Sequence, residues 1–216
     1  MNRTCTALVL AVLTAACGYV AEGPKEPSAG TQAEVEAMAG IEEMPSLTLY
    51  GTVIDLTPLS SLRRLGHLLI VGTTDLESLH GLEDLADPAN DDEPATLGIM
   101  AYDNAALADL SALSMPRLQS LALSRGNASL RDAALGPIRE VESLIIHEQP
   151  VLARLSAPAL VAIHDRLEVG GPTLCEVDLP VLEELGSLSV TVFPTCWPQE
   201  DQDALLAQTG NEPQGP

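Results

Sequence analysis

The chain is 216 residues long, and 46% of its residues are hydrophobic while only 2% are aromatic. This composition predicts one elongated domain with a core of aliphatic side chains. The formal net charge is −21 at pH 7, and such a surface repels phosphate backbones, which bind Lys and Arg. The charge therefore argues against a nucleic-acid partner and favours basic proteins, cations or polysaccharides.

Residues 1–16 have the pattern of a signal peptide. Arg3 precedes an apolar run over 7–13 and small residues up to Cys17, and the run is too short to remain in a bilayer as a spanning helix. The segment from Leu13 to Cys17 resembles the lipobox of bacterial lipoproteins. The resemblance implies cleavage before Cys17, lipidation of that residue and anchoring by several acyl chains. The alternative is ordinary secretion.

Residues 17–33 follow, and they are rich in Gly, Pro, Ser and charge. We expect this segment, which includes the lipidated Cys17, to be a flexible tether. No retention signal for the inner membrane is recognisable beside Cys17, so the outer membrane of the cell envelope is the predicted location. Residues 34–41 are expected to form a turn of helix or a strand. This element would cover the first coil of the repeat array that follows it in the chain.

A short phrase recurs between Met44 and Phe193, in which two apolar residues are separated by one residue, as on one face of a strand. Successive phrases begin 21 to 29 residues apart. This period predicts a solenoid, because one coil is too small to bury its own apolar face. The pairs are Leu47/Leu49, Leu68/Ile70, Leu97/Ile99, Leu121/Leu123, Leu144/Ile146, Leu167/Val169 and Leu188/Val190.

The arcs between these strands carry an apolar residue at every third position, as in Leu56, Leu59, Leu62 and Leu65. This spacing does not match the face of an α-helix, and it suits extended or 3₁₀ segments. We therefore predict a mainly β fold with short helical turns, namely a right-handed β-solenoid of about seven coils over residues 34–198.

The LxxLxL phrase, seen at 65–70 and 118–123, resembles leucine-rich repeats, and the arcs with Leu at every third position resemble the receptor L-domain. The chain as a whole is similar to bacterial repeat lipoproteins. A leucine-rich repeat continues to a buried Asn, which this chain is predicted to lack, so the L-domain-like form is favoured. The residues expected at the Asn position are Thr52, Thr73, Tyr102, Gly126, Gln149, Pro172 and Phe193.

The longest step between phrases contains an acidic insertion at 86–94. Its carboxylates suggest a calcium loop, but the ligand spacing of an EF-hand is missing, so a solvated acidic loop is the expectation. After the array, residues 199–216 are predicted to form a short helix over 200–208 and a loose tail. Leu205, Leu206 and Trp197 are expected to cover the last coil.

Cys175 and Cys196 are separated by 21 residues, which is one coil. Equivalent positions on adjacent coils lie about 4.8 Å apart, and a disulfide accepts Cα separations of about 4.4 to 6.8 Å. The spacing therefore predicts a Cys175–Cys196 bridge, and the alternative is two free thiols.

No catalytic or metal motif stands out in the sequence. The histidines at 67, 80, 147 and 164 lack ligand spacing, and Ser124 with His147 is the one pair that the repeat brings to neighbouring coils. We predict a protein without enzymatic activity, cofactor or metal.

The outward rows of the sheet are the predicted functional surface, because strand residues alternate between the core and the outside. These rows hold more apolar side chains than a solvated face requires, which suggests a surface for a protein or glycan partner. The alternatives are a covering layer, or a structural spacer without a ligand. The candidate residues are Tyr50, Leu69, Val71, Met100, Ile145 and His147.

Overall fold

The computed structural model describes residues 27–86, 97–190 and 196–210. The protein is mainly β and forms a β-solenoid of about seven coils built on parallel strands, as predicted. The segment predicted as a signal peptide, Cys17 and most of the acidic insertion lie outside the described residues.

Two parallel sheets form the sides of the solenoid. The larger sheet has the order β1-β2-β3-β4-β5-β7-β9-β11, with β12 also paired to β9, and the smaller has the order β10-β8-β6. Each strand of the large sheet thus pairs with its equivalent in the next coil. The strands are β1 (Ser28–Thr31), β2 (Glu43–Thr52), β3 (Arg64–Thr73), β4 (Gly98–Tyr102), β5 (Arg117–Ser124), β6 (Asp132–Ala134), β7 (Glu140–His147), β8 (Arg154–Ser156), β9 (Ala162–Gly170), β10 (Glu176–Asp178), β11 (Glu184–Leu185) and β12 (Leu188–Val190).

Inward-facing side chains of the large sheet form the core in stacked rows. Because the strands pair in parallel and alternate their side chains, equivalent apolar residues of successive coils lie side by side. All members of one such row are at most 1% exposed: Leu47, Leu68, Ile99, Leu121, Leu144 and Leu167.

The arcs follow the predicted period of three for a simple reason. The amide of Leu59 donates to the carbonyl of Leu56 at 2.8 Å, and Leu62 donates to Leu59 at 2.8 Å. Hydrogen bonds between residues three apart are those of a 3₁₀ turn, and a 3₁₀ helix covers Thr57–Leu59. The Leu residues at every third position therefore point into the core.

The register of β4 corrects one prediction. Leu68 pairs with Ile99 and Ile70 pairs with Ala101, so the strand pair of this coil is Ile99/Ala101 and the prediction of Leu97/Ile99 is wrong. Leu97 is also buried, but it precedes the strand. Leu97/Ile99 and Ile99/Ala101 are both apolar pairs, and the insertion before them removes the spacing that would decide between them. A register shift of two residues keeps the same face of the strand inward, so the alternation of side chains does not decide either.

A ladder of buried polar side chains runs through the turns after these strands, so the prediction that buried Asn residues are missing is wrong. Asn104 accepts from the amide of Thr73 at 3.1 Å and donates to Asn127 Oδ1 at 2.9 Å. Asn127 donates in turn to Gln149 Oε1 at 3.1 Å and to the carbonyl of Ala101 at 3.1 Å. All four members of the ladder are at most 1% exposed, and they satisfy backbone groups that the turn leaves unpaired.

Both ends of the solenoid are covered. At the first coil, β1 begins inside the segment predicted as tether, and helix α1 (Gln32–Glu36) follows it with a capping box between Thr31 and Glu34 and with Val35 fully buried. At the last coil, helix α2 (Gln199–Gln208) packs Leu205 onto the core.

The two cysteines lie at disulfide distance, and the C-terminal segment packs against the core. Cys175 and Cys196 form a disulfide pair with Cα atoms 4.5 Å apart. Trp197 is 3% exposed, and Leu206 packs against the core.

Candidate functional site

The outward side of the large sheet carries three rows of side chains without formal charge. Strands β2, β3, β4, β5 and β7 each contribute one residue to every row, and we call these fifteen positions the uncharged face. None of them is Asp, Glu, Lys or Arg, although such residues make up 19% of the chain. The rows are Ser46, His67, Gly98, Ser120, Ser143; then Thr48, Leu69, Met100, Ala122, Ile145; then Tyr50, Val71, Tyr102, Ser124, His147.

The structure brings all six predicted residues to this face. Tyr50 is 41% exposed, and the other five, Leu69, Val71, Met100, Ile145 and His147, are half-buried. The corrected register of β4 moves Met100 into the middle row, directly between Leu69 and Ala122. The middle row is therefore a continuous apolar strip across four strands.

Two tyrosines lie at the edge of this strip. The ring of Tyr50 lies over Gly30 of β1, where a Cβ atom would collide with it. Tyr102 pairs with Val71 and was missed by the sequence analysis, because the shifted register assigned it to a turn. Burial and the neighbouring carboxylate of Asp103 raise the pKa of Tyr102, so its hydroxyl stays protonated at neutral pH.

Charged side chains border the uncharged face on the side of β9. Ile145 pairs with Glu168, whose carboxylate lies 3.1 Å from Nε2 of His147 and 3.5 Å from Arg166. The side chain of Glu168 is only 18% exposed, and the guanidinium of Arg166 offsets part of the cost of burying its charge.

A charged ridge, which we define as Asp103, Arg125 and Glu148, follows the carboxyl ends of β4, β5 and β7. All three residues adopt positive φ angles, of 57°, 40° and 51°. The equivalent positions near the carboxyl ends of β2 and β3 are Gly51 and Gly72, with φ of 68° and 63°. Nε of Arg125 lies 3.7 Å from the carboxylate of Glu148, so the ridge alternates in sign along the edge of the face.

The polar groups of the face do not form a catalytic relay within the described residues. Ser124 pairs with His147 in the sheet, and Glu168 contacts the far nitrogen of the same ring, but no hydrogen bond joins Ser124 to His147 there. A search of the described residues found no group of three or more His, Cys, Asp or Glu side chains placed to hold a metal ion.

His164 lies outside the uncharged face, on β9, between two carboxylates. Its Nδ1 is 3.1 Å from Glu184 of β11, and its Nε2 is 3.7 Å from Glu140 of β7. The hydrogen bond to Glu184, with the charges of Glu184, Glu142 and Glu140, raises the pKa of this histidine. When it is protonated, His164 thus links three strands electrostatically.

Comparison with known proteins gives no family for this chain: no family model, curated protein or solved structure matches it. Of the helices in the described ranges, none has the length and apolar character needed to cross a membrane.

Proposed function

We propose that the protein is a lipid-anchored repeat protein of the bacterial cell envelope that presents the uncharged face to a partner. The observation that carries the proposal is the apolar strip of Leu69, Met100, Ala122 and Ile145 on a face without formal charge, in a chain of net charge −21. Contiguous apolar surface on a soluble domain is characteristic of interaction sites.

A protein partner is favoured over a glycan. The strip is aliphatic, and aliphatic side chains gain free energy by excluding water against other apolar groups. Tyr50 and Tyr102 are the two aromatic residues on the face, and they lie in the outer row rather than at its centre.

The anchor is proposed from the sequence. The segment that ends at Cys17 has the lipobox pattern, and the Gly- and Pro-rich residues after it would place the solenoid at a distance from the membrane. Incorporation of a fatty-acid analogue tests this directly. Labelling that is lost in Cys17→Ser, together with processing that globomycin blocks, supports the anchor, and unlabelled wild-type protein contradicts it.

The binding role is tested with the full-length protein solubilised in detergent. Wild type, Leu69→Asp and Ile145→Asp are immobilised and exposed to envelope extract, and bound proteins are identified by mass spectrometry. Ile54→Asp is the matched control, because Ile54 is 59% exposed and lies outside the uncharged face. A saturable partner lost in the two face variants and kept in the control supports the proposal. If no such partner is found, the proposal fails and a structural spacer remains as the function.

A further inference from the structure

The uncharged face is too small to hold a stable partner alone. It spans four strand spacings of about 4.8 Å and about four residues of roughly 3.3 Å each, which is on the order of 250 Å². A standard interface buries roughly 800 Å² on each partner. A stable complex must therefore extend over the rim of the face, and the charges of the rim then contribute to the choice of partner.

The rim presents carboxylates whose neighbouring arginines are already engaged. Arg125 lies 3.7 Å from Glu148, and Arg166 lies 3.5 Å from Glu168 and 3.8 Å from Asp165. These guanidinium groups are partly neutralised within the protein, so an approaching surface meets a rim of net negative charge on a chain of net charge −21.

A second copy of the chain fits this rim poorly. Two copies that met face to face beyond the uncharged centre would bring together two strongly acidic molecules, and juxtaposed like charges oppose association. A partner with basic side chains around an apolar centre has the complementary pattern.

The backbone of the charged ridge supports a role in recognition. Arg125 and Glu148 occupy a left-handed conformation that such side chains adopt only at a cost, whereas Asp103 is of a residue type that tolerates it. Gly51 and Gly72 take the equivalent positions in the first two strands of the face, which shows that the fold accepts Gly there. Stability alone would favour Gly at positions 125 and 148, so the side chains of Arg125 and Glu148 point to a function outside folding.

We infer that the charged ridge selects a basic protein partner, with Asp103 and Glu148 pairing with cations that surround an apolar patch of that partner. This inference rests on the proposed function, since it names the class of partner for the same face.

The experiment uses the partner identified by capture on the full-length protein, purified and titrated at about 50 and about 300 mM NaCl, between which electrostatic screening increases strongly. The ridge variants are Asp103→Gly and Glu148→Gly, and the control is Asp178→Asn on β10, which removes the same charge from the smaller sheet. We expect a basic partner, an affinity that falls several-fold with salt, and a loss of about threefold or more in each ridge variant but not in the control. Glu148→Gly should also unfold at a Tm about 2 °C higher, because Gly relieves the backbone at this positive φ.

The outcomes separate this inference from the proposed function. An acidic partner overturns the inference, and so does an affinity that changes neither with salt nor in the ridge variants. In either case, loss of binding in Ile145→Asp still supports the uncharged face as the docking surface. A dimer of this chain seen by light scattering and lost in Ile145→Asp, or a polysaccharide as the bound species, also overturns it. If no bound molecule depends on Ile145, the inference and the proposed function both fail.

Discussion

The side-chain amide of Asn104 donates to the side-chain carbonyl oxygen of Asn127, 2.9 Å away in the next coil. The same amide group also donates to the carbonyl of Ile70 at 3.1 Å, in the preceding coil. One buried side chain thus connects three successive coils. Such a link stabilises the stack strongly only while each of its polar atoms keeps a partner, because a buried polar group without one is costly.

The first prediction concerns this ladder. Asn127→Ala removes a donor to the carbonyl of Ala101, and it leaves the side-chain amide of Asn104 and Oε1 of Gln149 each short of one hydrogen-bond partner. We therefore expect a loss of about 3 kcal/mol in the free energy of unfolding. Urea denaturation measures it. The control is Ser129→Ala, which removes a hydrogen bond to the carbonyl of Ala105 near the surface and should cost less than about 1 kcal/mol. Equal losses in the two variants would contradict a special role for the ladder.

The second prediction concerns the disulfide. The pair is separated by 21 residues, and closing a loop of this size stabilises a fold by about 3 kcal/mol. The double variant Cys175→Ser with Cys196→Ser should therefore unfold at lower denaturant concentration than the wild type. Reduced wild-type protein should match the double variant. Two thiols of the unreduced protein that react with an alkylating agent at these positions would show that the bridge is absent.

The third prediction is a pH dependence at His164. Its pKa is raised above the usual 6.5, so its contribution is complete below about pH 6.5 and disappears as the pH rises through the raised value. His164→Gln should be less stable than the wild type at low pH and equally stable at high pH. The side chains of His164 and Glu184 are 37% and 64% exposed, so the difference should not exceed about 0.5 kcal/mol.

Glu184→Gln provides the matching test for His164. It removes the charge of the hydrogen-bond partner and should shift the pKa of His164, followed by NMR, back toward its ordinary value. An unchanged titration in Glu184→Gln would show that this pair does not set the pKa.

The fourth prediction compares two glycines. Both Gly81 and Gly40 have positive φ, of 106° and 83°, but a Cβ on Gly81 would collide with the backbone of Leu56 in the preceding coil, whereas none of the described atoms lies within 4 Å of a Cβ on Gly40. Gly40→Ala should cost about 1 kcal/mol through its backbone conformation alone. Gly81→Ala should cost clearly more, and thermal unfolding of both variants measures the difference.

Periodic features of this protein could be predicted from its sequence. The paired Leu residues, the arcs with Leu at every third position and the spacing of Cys175 and Cys196 each repeat with the coil, and a repeat averages out local ambiguity. The fold and the outward direction of Leu69 and Ile145 follow from that repetition.

The predictions that failed concern positions at which one coil departs from the others. With Ile99 as the first residue of its pair, Asn104 falls at the same offset as Thr73 and Gln149, so the error in the register of β4 also hid the ladder. Asn127 was missed for another reason: Gly126 takes the expected position and displaces it by one residue. The charged ridge could not be predicted from the sequence, because local preference predicts Gly, Asn or Asp rather than Arg or Glu at positive φ.

The helices at the two ends have a consequence for self-assembly. Parallel strands stacked in register form a template that further strands of the same kind can extend, as in fibrils. Here Val35 of α1 occupies the interior at one terminus and Leu205 of α2 does so at the other. These caps therefore oppose the end-to-end stacking of copies of the protein into longer solenoids.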